Sequence, residues 1–378
     1  MIARPATLLA LLLSPALAVG EGRSEVMLDL LGRVPTEILE PEPGSYAQVH
    51  FVDNRVAGRL AGLGAAEGSF AERAGPYARA TTMPLGRSIL LALDGGWESR
   101  VGFGPLDVEA LVDYALPPEK ALLLQLDPAA AERVAPALLA HGYAEAQRNG
   151  LSALSRGEED NSIDLSRRDP ADPFGGDLGQ SSRVIVESPF VLQASTWPAL
   201  RDLASPDGQH GHPDLVAMAE VLDLPEWGDA ELVQAIALPH QVDVSSLGTG
   251  GIPLWRLGLL ADLDSGEDRF ALALFSYTSQ PDAVAAARRV VEGWGAAPAF
   301  SPLEEIVESP EGSTRPEPSP AGFTGAEVTT GVAGNGPFVT WAAIRPSQET
   351  SADPLSNPGF QRVLDLIFRR EMAIFGPP

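Results

Sequence analysis

Two histidines one residue apart, His210 and His212, are flanked by Asp207 and Asp214. Imidazole nitrogens beside carboxylate oxygens are a donor set that can hold zinc, so these four residues form the candidate metal site. The plainer reading is that Asp207-Gly208 and Pro213 mark a turn entering a helix, where polar side chains cap free backbone N–H groups. Capping is the preferred reading. A second acidic set, Asp262, Asp264, Glu267 and Asp268, partly follows a calcium loop, but Gly266 takes the third ligand place and no glutamate stands at the twelfth. A solvated hairpin turn is expected there.

Nucleophilic chemistry has less to stand on. The chain has no cysteine, no G-x-S-x-G and no S-x-x-K, and its one lysine, Lys120, precedes an expected strand. Disulfides, thiolate metal sites and cysteine nucleophiles are therefore excluded. A triad assembled from distant residues stays open, because geometry alone defines one. Gly102-Phe103-Gly104 and Gly248-Thr249-Gly250-Gly251 lack a phosphate-binding fingerprint and read as turns. His50, His141 and His240 are isolated and are expected to be surface or satisfied core residues. No cofactor is implied.

The most distinctive segment is RRDPADPFGGDLGQSSR, Arg167 to Arg183. Its candidate binding residues are Arg167, Arg168, Asp172, Phe174 and Arg183, as a loop presenting an aromatic ring and guanidinium groups to a partner. The opposing reading is an ordered crossover whose glycines permit close packing and whose arginines pair with neighbouring carboxylates. That reading is preferred, because most loops only connect.

These residues need a scaffold. Strand patterns fall at Gln48 to Asp53, Ser88 to Asp94, Lys120 to Leu126, Gly150 to Ser155 and Arg183 to Glu187. Asp107 to Leu116 reads as a helix stopped by Pro117-Pro118. Asp127-Pro128 opens a helix that ends at Gly142, with a kink or break expected at Pro136. Further helical patches lie at Trp197 to Ala204 and Pro213 to Leu224. Arg256 to Asp264 and Phe270 to Tyr277 form a hairpin, followed by a helix from Pro281 to Glu292 closed by Gly293. A second hairpin, Glu327 to Ala333 and Phe338 to Arg345, turns on Gly334-Asn335-Gly336. It precedes a final helix from Asn357-Pro358 that carries Phe360, Val363, Leu364, Ile367, Phe368 and Phe375 on one face. Ser301 to Gly322 reads as a surface loop.

The expected fold is α+β, with antiparallel or mixed sheets and helices on one face, arranged as two ferredoxin-like units. Residues 45–160 form the first unit, 161–182 a loop or linker, and 183–378 a second unit with the C-terminal hairpin and helix. An apolar run, a proline-opened helix and a closing Gly142-Tyr143 or Gly293-Trp294 recur in the two halves, a faint sign of duplication.

Of 378 residues, 51 are acidic and 26 basic, and the formal net charge is -25. Nucleic acid and anionic lipid surfaces are thereby disfavoured as partners, since both need clustered basic residues. A hydrophobic share of 44% is enough for a folded core. Residues 1–18 read as a signal peptide: Arg4, an uncharged apolar stretch, then Ala16-Leu17-Ala18 as the cleavage pattern. No later run of 18 apolar residues exists, so no membrane span is expected in the mature chain, which would work in the periplasm or be secreted. The leading functional expectation is a non-catalytic binding module for a small molecule or an envelope protein, using a groove between its halves. The alternatives are a hydrolase with a dispersed or metal-assisted site, and a structural component of an envelope complex.

Overall fold

The computed structural model describes residues 22–41, 47–60, 96–117, 119–205, 212–239, 252–296, 327–345 and 357–368. The helices are α1 (Glu25–Leu31), α2 (Thr36–Leu39), α3 (Asn54–Leu60), α4 (Gly96–Val101), α5 (Pro128–Ala140), α6 (Trp197–Ala204), α7 (Pro213–Leu222), α8 (Gln280–Ala296) and α9 (Pro358–Phe368). The strands are β1 (Gln48–Asp53), β2 (Val108–Leu116), β3 (Glu119–Leu126), β4 (Ala144–Arg148), β5 (Leu151–Arg156) and β6 (Ser182–Glu187). They continue with β7 (Phe190–Ala194), β8 (Glu231–Pro239), β9 (Leu257–Asp264), β10 (Arg269–Tyr277), β11 (Glu327–Ala333) and β12 (Phe338–Arg345).

The chain is α+β, built on one sheet of 12 strands in the order β11-β12-β10-β9-β8-β1-β2-β3-β7-β6-β5-β4. Every neighbouring pair is antiparallel. The strand arrangement of a ferredoxin-like unit, which splits its first β-α-β pair with another strand, is not present among the described residues, because β1 pairs directly with β2 and β2 with β3. Each half instead runs a strand, a hairpin, a helix and a second hairpin: β1, β2–β3, α5, β6–β7, and β8, β9–β10, α8, β11–β12. The halves meet where β1 pairs with β8, with Phe51 opposite Ala235. The strand β7 joins β3 as β12 joins β10, and β4–β5 extends only the first half.

Two expectations about organisation are corrected. The segment from 183 does not begin a second unit, because β6 and β7 pair with β5 and β3. Helices also cover both faces. α1, α2, α6 and α7 bury Met27, Leu30, Ile38, Trp197, Leu200, Leu215 and Met218 against one face, in a core that continues from Val112 and Leu123 to Leu259, Leu272 and Val339. The opposite face holds two separate cores. α4 and α5 pack Trp97, Val134 and Leu138 on Leu122 and Leu124. α8 and α9 pack Ala283, Val290, Phe360 and Val363 on Leu260, Ala273 and Phe275.

That two-sided burial explains the main misreading, at Asp107 to Leu116. Val108, Leu111, Val112 and Ala115 stand at helical spacing, yet the segment is β2, placing Val112 and Tyr114 in one core and Leu111 in the other. A strand apolar on both faces loses the alternation that marks a strand. The break foreseen at Pro136 is absent, since α5 runs from Pro128 to Ala140 with Asp127 capping the N–H groups of Ala129 and Ala130. α8 likewise passes Gly293 and ends at Ala296. The expected strand at Ser88 to Asp94, the Gly248–Gly251 turn, the Ser301 to Gly322 loop, His240, Phe375 and the signal segment 1–18 lie outside the described residues.

Candidate functional site

The segment between β5 and β6 folds as an internally braced loop. Arg156, at the end of β5, is buried and ion-pairs with Asp172, donating also to the Phe174 and Gln180 carbonyls. Asp172 receives the Tyr143 hydroxyl at 3.0 Å and the Phe174 N–H at 2.8 Å. The Phe174 ring is buried beside Phe103, with centroids 6.0 Å apart. Arg183 is fully buried, donates to the Arg156 and Glu159 carbonyls at 3.0 and 3.2 Å, and lies 3.5 Å from Asp160. Gly179 has a φ of +63°, and a Cβ there would strike the Asp164 carbonyl, so two passes of the loop close to backbone contact only because glycine stands at this point.

Of the five candidate binding residues, three therefore work inside the molecule: Asp172, Phe174 and Arg183. Arg167 and Arg168 face solvent. Arg167 pairs with Asp164 at 3.3 Å, and Arg168 donates to the Asp177 carbonyl at 2.6 Å. Beside them the loop exposes apolar side chains: Ile163 is 56% exposed, Leu165 64% and Leu178 41%. A bridge between Ile163 and Gln180, and the bond from Asp164 N–H to the Gly179 carbonyl at 3.1 Å, hold the two stretches that carry them together.

Of the four candidate metal ligands, Asp207 and His210 lie outside the described residues. His212 and Asp214 are brought together with Glu40 and Arg256, which the sequence pattern did not single out. His212 is the N-cap of α7, and its Nδ1 accepts the Asp214 N–H at 3.3 Å. Nε2 must then carry the proton, and it donates to Glu40 Oε1 at 2.9 Å. Arg256 reaches Glu40 at 3.1 Å and the fully buried Asp214 at 3.3 Å. Burial pushes the Asp214 carboxyl up, with Arg256 and His212 opposing. Glu40 is itself pulled up by partial burial, yet the Arg256 and His212 hydrogen bonds hold it below the ordinary range. The donor atoms of Glu40, His212 and Asp214 lie within 4.8 Å of one another. The guanidinium already supplies their cation, and the cap fixes the tautomer that keeps a proton on Nε2. This geometry fits an ion-pair latch tying the chain after α2 to α7 and to the start of β9.

A third polar group crosses the middle of the sheet, between the two cores of one face. His50 on β1 stands opposite Asp113 on β2, and Gln234 on β8 opposite Asp262 on β9. Asp262 accepts from Gln234 Nε2 at 3.0 Å and from Asn357 Nδ2 at 2.6 Å. That orients the Gln234 amide so that Oε1 meets His50 Nε2 at 3.0 Å, and His50 donates through Nε2. His50 Nδ1 has no hydrogen-bond partner among the described residues. Burial lowers the His50 imidazole to about 4, against the Gln234 bond, and raises the Asp113 carboxyl to about 7, against Lys120.

No family model matches the sequence, and a search of curated proteins finds no match. Among solved structures, crystal form I of TP0453 aligns over 69% of this chain and 84% of its own, at 12% identity and a TM-score of 0.28. At that score neither fold nor function is carried across.

In the acidic turn, expected to be a solvated hairpin turn, two carboxylates brace the hairpin: Asp264 accepts the Gly266 N–H and pairs with Arg269 at 3.1 Å, and Asp268 pairs with Arg345 at 3.2 Å. Sequence reasoning missed Ile163, Leu165 and Leu178, although three large apolar residues in an acidic, aperiodic stretch were a usable signal.

Proposed function

We propose that this chain is an exported, non-catalytic binding protein that docks a protein partner through residues 157–181. The observation that carries the reading is a loop fixed from within by Arg156, Asp172, Phe174 and Arg183 that nevertheless presents Ile163, Leu165 and Leu178 to water. A rigid surface loses little conformational entropy on binding, and exposed apolar side chains on it mark an interaction site. The polar clusters that a hydrolase would use are engaged elsewhere: His212, Asp214 and Arg256 hold one another, and His50 is sealed in the sheet.

The test places a photo-crosslinking amino acid at Leu165, and for comparison at Leu254, an equally exposed leucine outside the loop. The protein is expressed in its own host and irradiated. A discrete adduct from position 165 and none from 254 is expected. No adduct at 165, or the same ladder from both positions, overturns the reading. Cell fractionation with intact-mass measurement tests export: the mature protein should lack residues 1–18.

A further inference from the structure

We propose that the surface docked on residues 157–181 is that of a protein, apolar at its centre and basic around it. This rests on the binding reading above and adds the chemistry of the partner. Ile163 to Arg168 is an unbroken exposed strip, with Leu178 held beside it by the Ile163–Gln180 bridge.

The charges around this strip fall into two sets. Asp160, Asp164, Asp169 and Asp172 are taken up by Arg183 and Arg148, Arg167, Arg100 and Arg156 respectively. Glu158 and Glu159 are exposed and Asp177 is partly so, and none of the three forms an ion pair among the described residues. Arg183 takes only the backbone carbonyls of Glu158 and Glu159, which fixes where those residues stand while leaving their carboxylates to solvent. Arg167 is paired with Asp164, and Arg168, bonded to a carbonyl, is the one cation of the strip left without a carboxylate partner among the described residues.

The patch is therefore an apolar strip with net negative charge around it, on a chain whose formal charge is -25. Coulomb repulsion disfavours a second copy of the chain, an anionic membrane and a nucleic acid as occupants. A protein with lysine or arginine around an apolar centre satisfies both parts of the patch. Its approach is steered by the long-range field, and its seat is fixed by the leucines and the isoleucine.

The experiment uses the Leu165 crosslinker in host envelope extract, at about 50 mM and about 300 mM salt, between which the Debye length falls from roughly 14 Å to roughly 6 Å. The same measurement is made on a chain carrying Glu158→Gln, Glu159→Gln and Asp177→Asn, with urea unfolding confirming that the variant folds. Adduct yield should fall roughly tenfold with salt, and severalfold in the neutralised variant at low salt. The adduct should be digested by protease and not by nuclease or lipase. An adduct whose yield is indifferent to salt and to neutralisation, or one containing lipid or nucleic acid, overturns the proposal. The salt-indifferent protein adduct would still leave the docking reading intact. Absence of any adduct at 165 removes the docking reading itself.

Discussion

Asp113 and His50 face each other across two central strands, and both sit in a place that penalises charge. Asp113 binds its proton more tightly in the folded chain than in the unfolded one, its carboxyl rising from 3.8 to about 7. Folding stability should therefore fall as pH rises through that interval, with the cost complete above about 7, on the order of 4 kcal/mol. His50 works in the opposite sense, dropping from 6.5 to about 4, so its contribution is lost as pH falls through that interval. The two slopes oppose each other where the windows overlap. In urea unfolding at a series of pH values, Asp113→Asn should be more stable than the parent above pH 7, and should lose stability steadily below 6.5 once the compensation is gone. Equal pH profiles for parent and variant would refute this assignment. Both residues are plain in the sequence, yet nothing in QVHFVD or LVDYAL says that they meet, because pairing of β1 with β2 spans a long intervening segment.

At the scale of elements, the loop between β5 and β6 depends on one buried ion pair. Removing Asp172 leaves the Arg156 guanidinium buried without its counter-charge and deprives the Tyr143 hydroxyl and the Phe174 N–H of their acceptor. Asp172→Ala should cost about 3 to 5 kcal/mol. Hydrogen exchange should show amides of residues 163–180 losing protection before those of β9 and β10; uniform loss would mean that the loop has no stability of its own to lose. The C-terminal helix has a comparable tie. Asn357 caps α9 through the Phe360 N–H at 3.1 Å and donates to Asp262 and to the Phe270 carbonyl. Asn357→Ala should destabilise by about 2 kcal/mol, a lost cap plus an acceptor left short of a donor, as read by urea denaturation.

Both ties were partly legible. Asn357-Pro358 announced a helix start, and the arginine–aspartate content of the loop announced internal pairing. What the pattern did not show was which carboxylate each arginine takes, or that Glu40 and Arg256 close on His212 and Asp214, since those contacts join segments far apart in the chain. The strand β2 was hidden for a different reason. Burial on both faces replaced its alternation with spacing that also suits a helix, whereas β11 and β12, flanking a glycine turn, were legible to the residue.

For the whole molecule, a repeated plan of strand, hairpin, helix and hairpin suggests two folding units, but the geometry argues against it. The strand β8 hydrogen-bonds to β1 across the midline, and the core under α1, α2, α6 and α7 contains Val112 and Leu123 from one half with Leu259, Leu272 and Val339 from the other. The Glu40–Arg256 pair and the Ser24–Asp223 bond at 2.6 Å add ties between the N-terminal segment and later elements. Neither half can unfold without exposing part of the other's apolar face, so opening either one carries most of the cost of opening both. Calorimetry should therefore show a single transition whose van't Hoff and calorimetric enthalpies agree. Ala235→Pro, which removes a backbone donor and introduces a ring at the β1–β8 seam, should lower the stability of both halves together, reported by hydrogen exchange at Leu123 and at Leu272. Two resolved transitions, or loss of protection confined to β8–β12, would show instead that the halves fold separately and meet only afterwards.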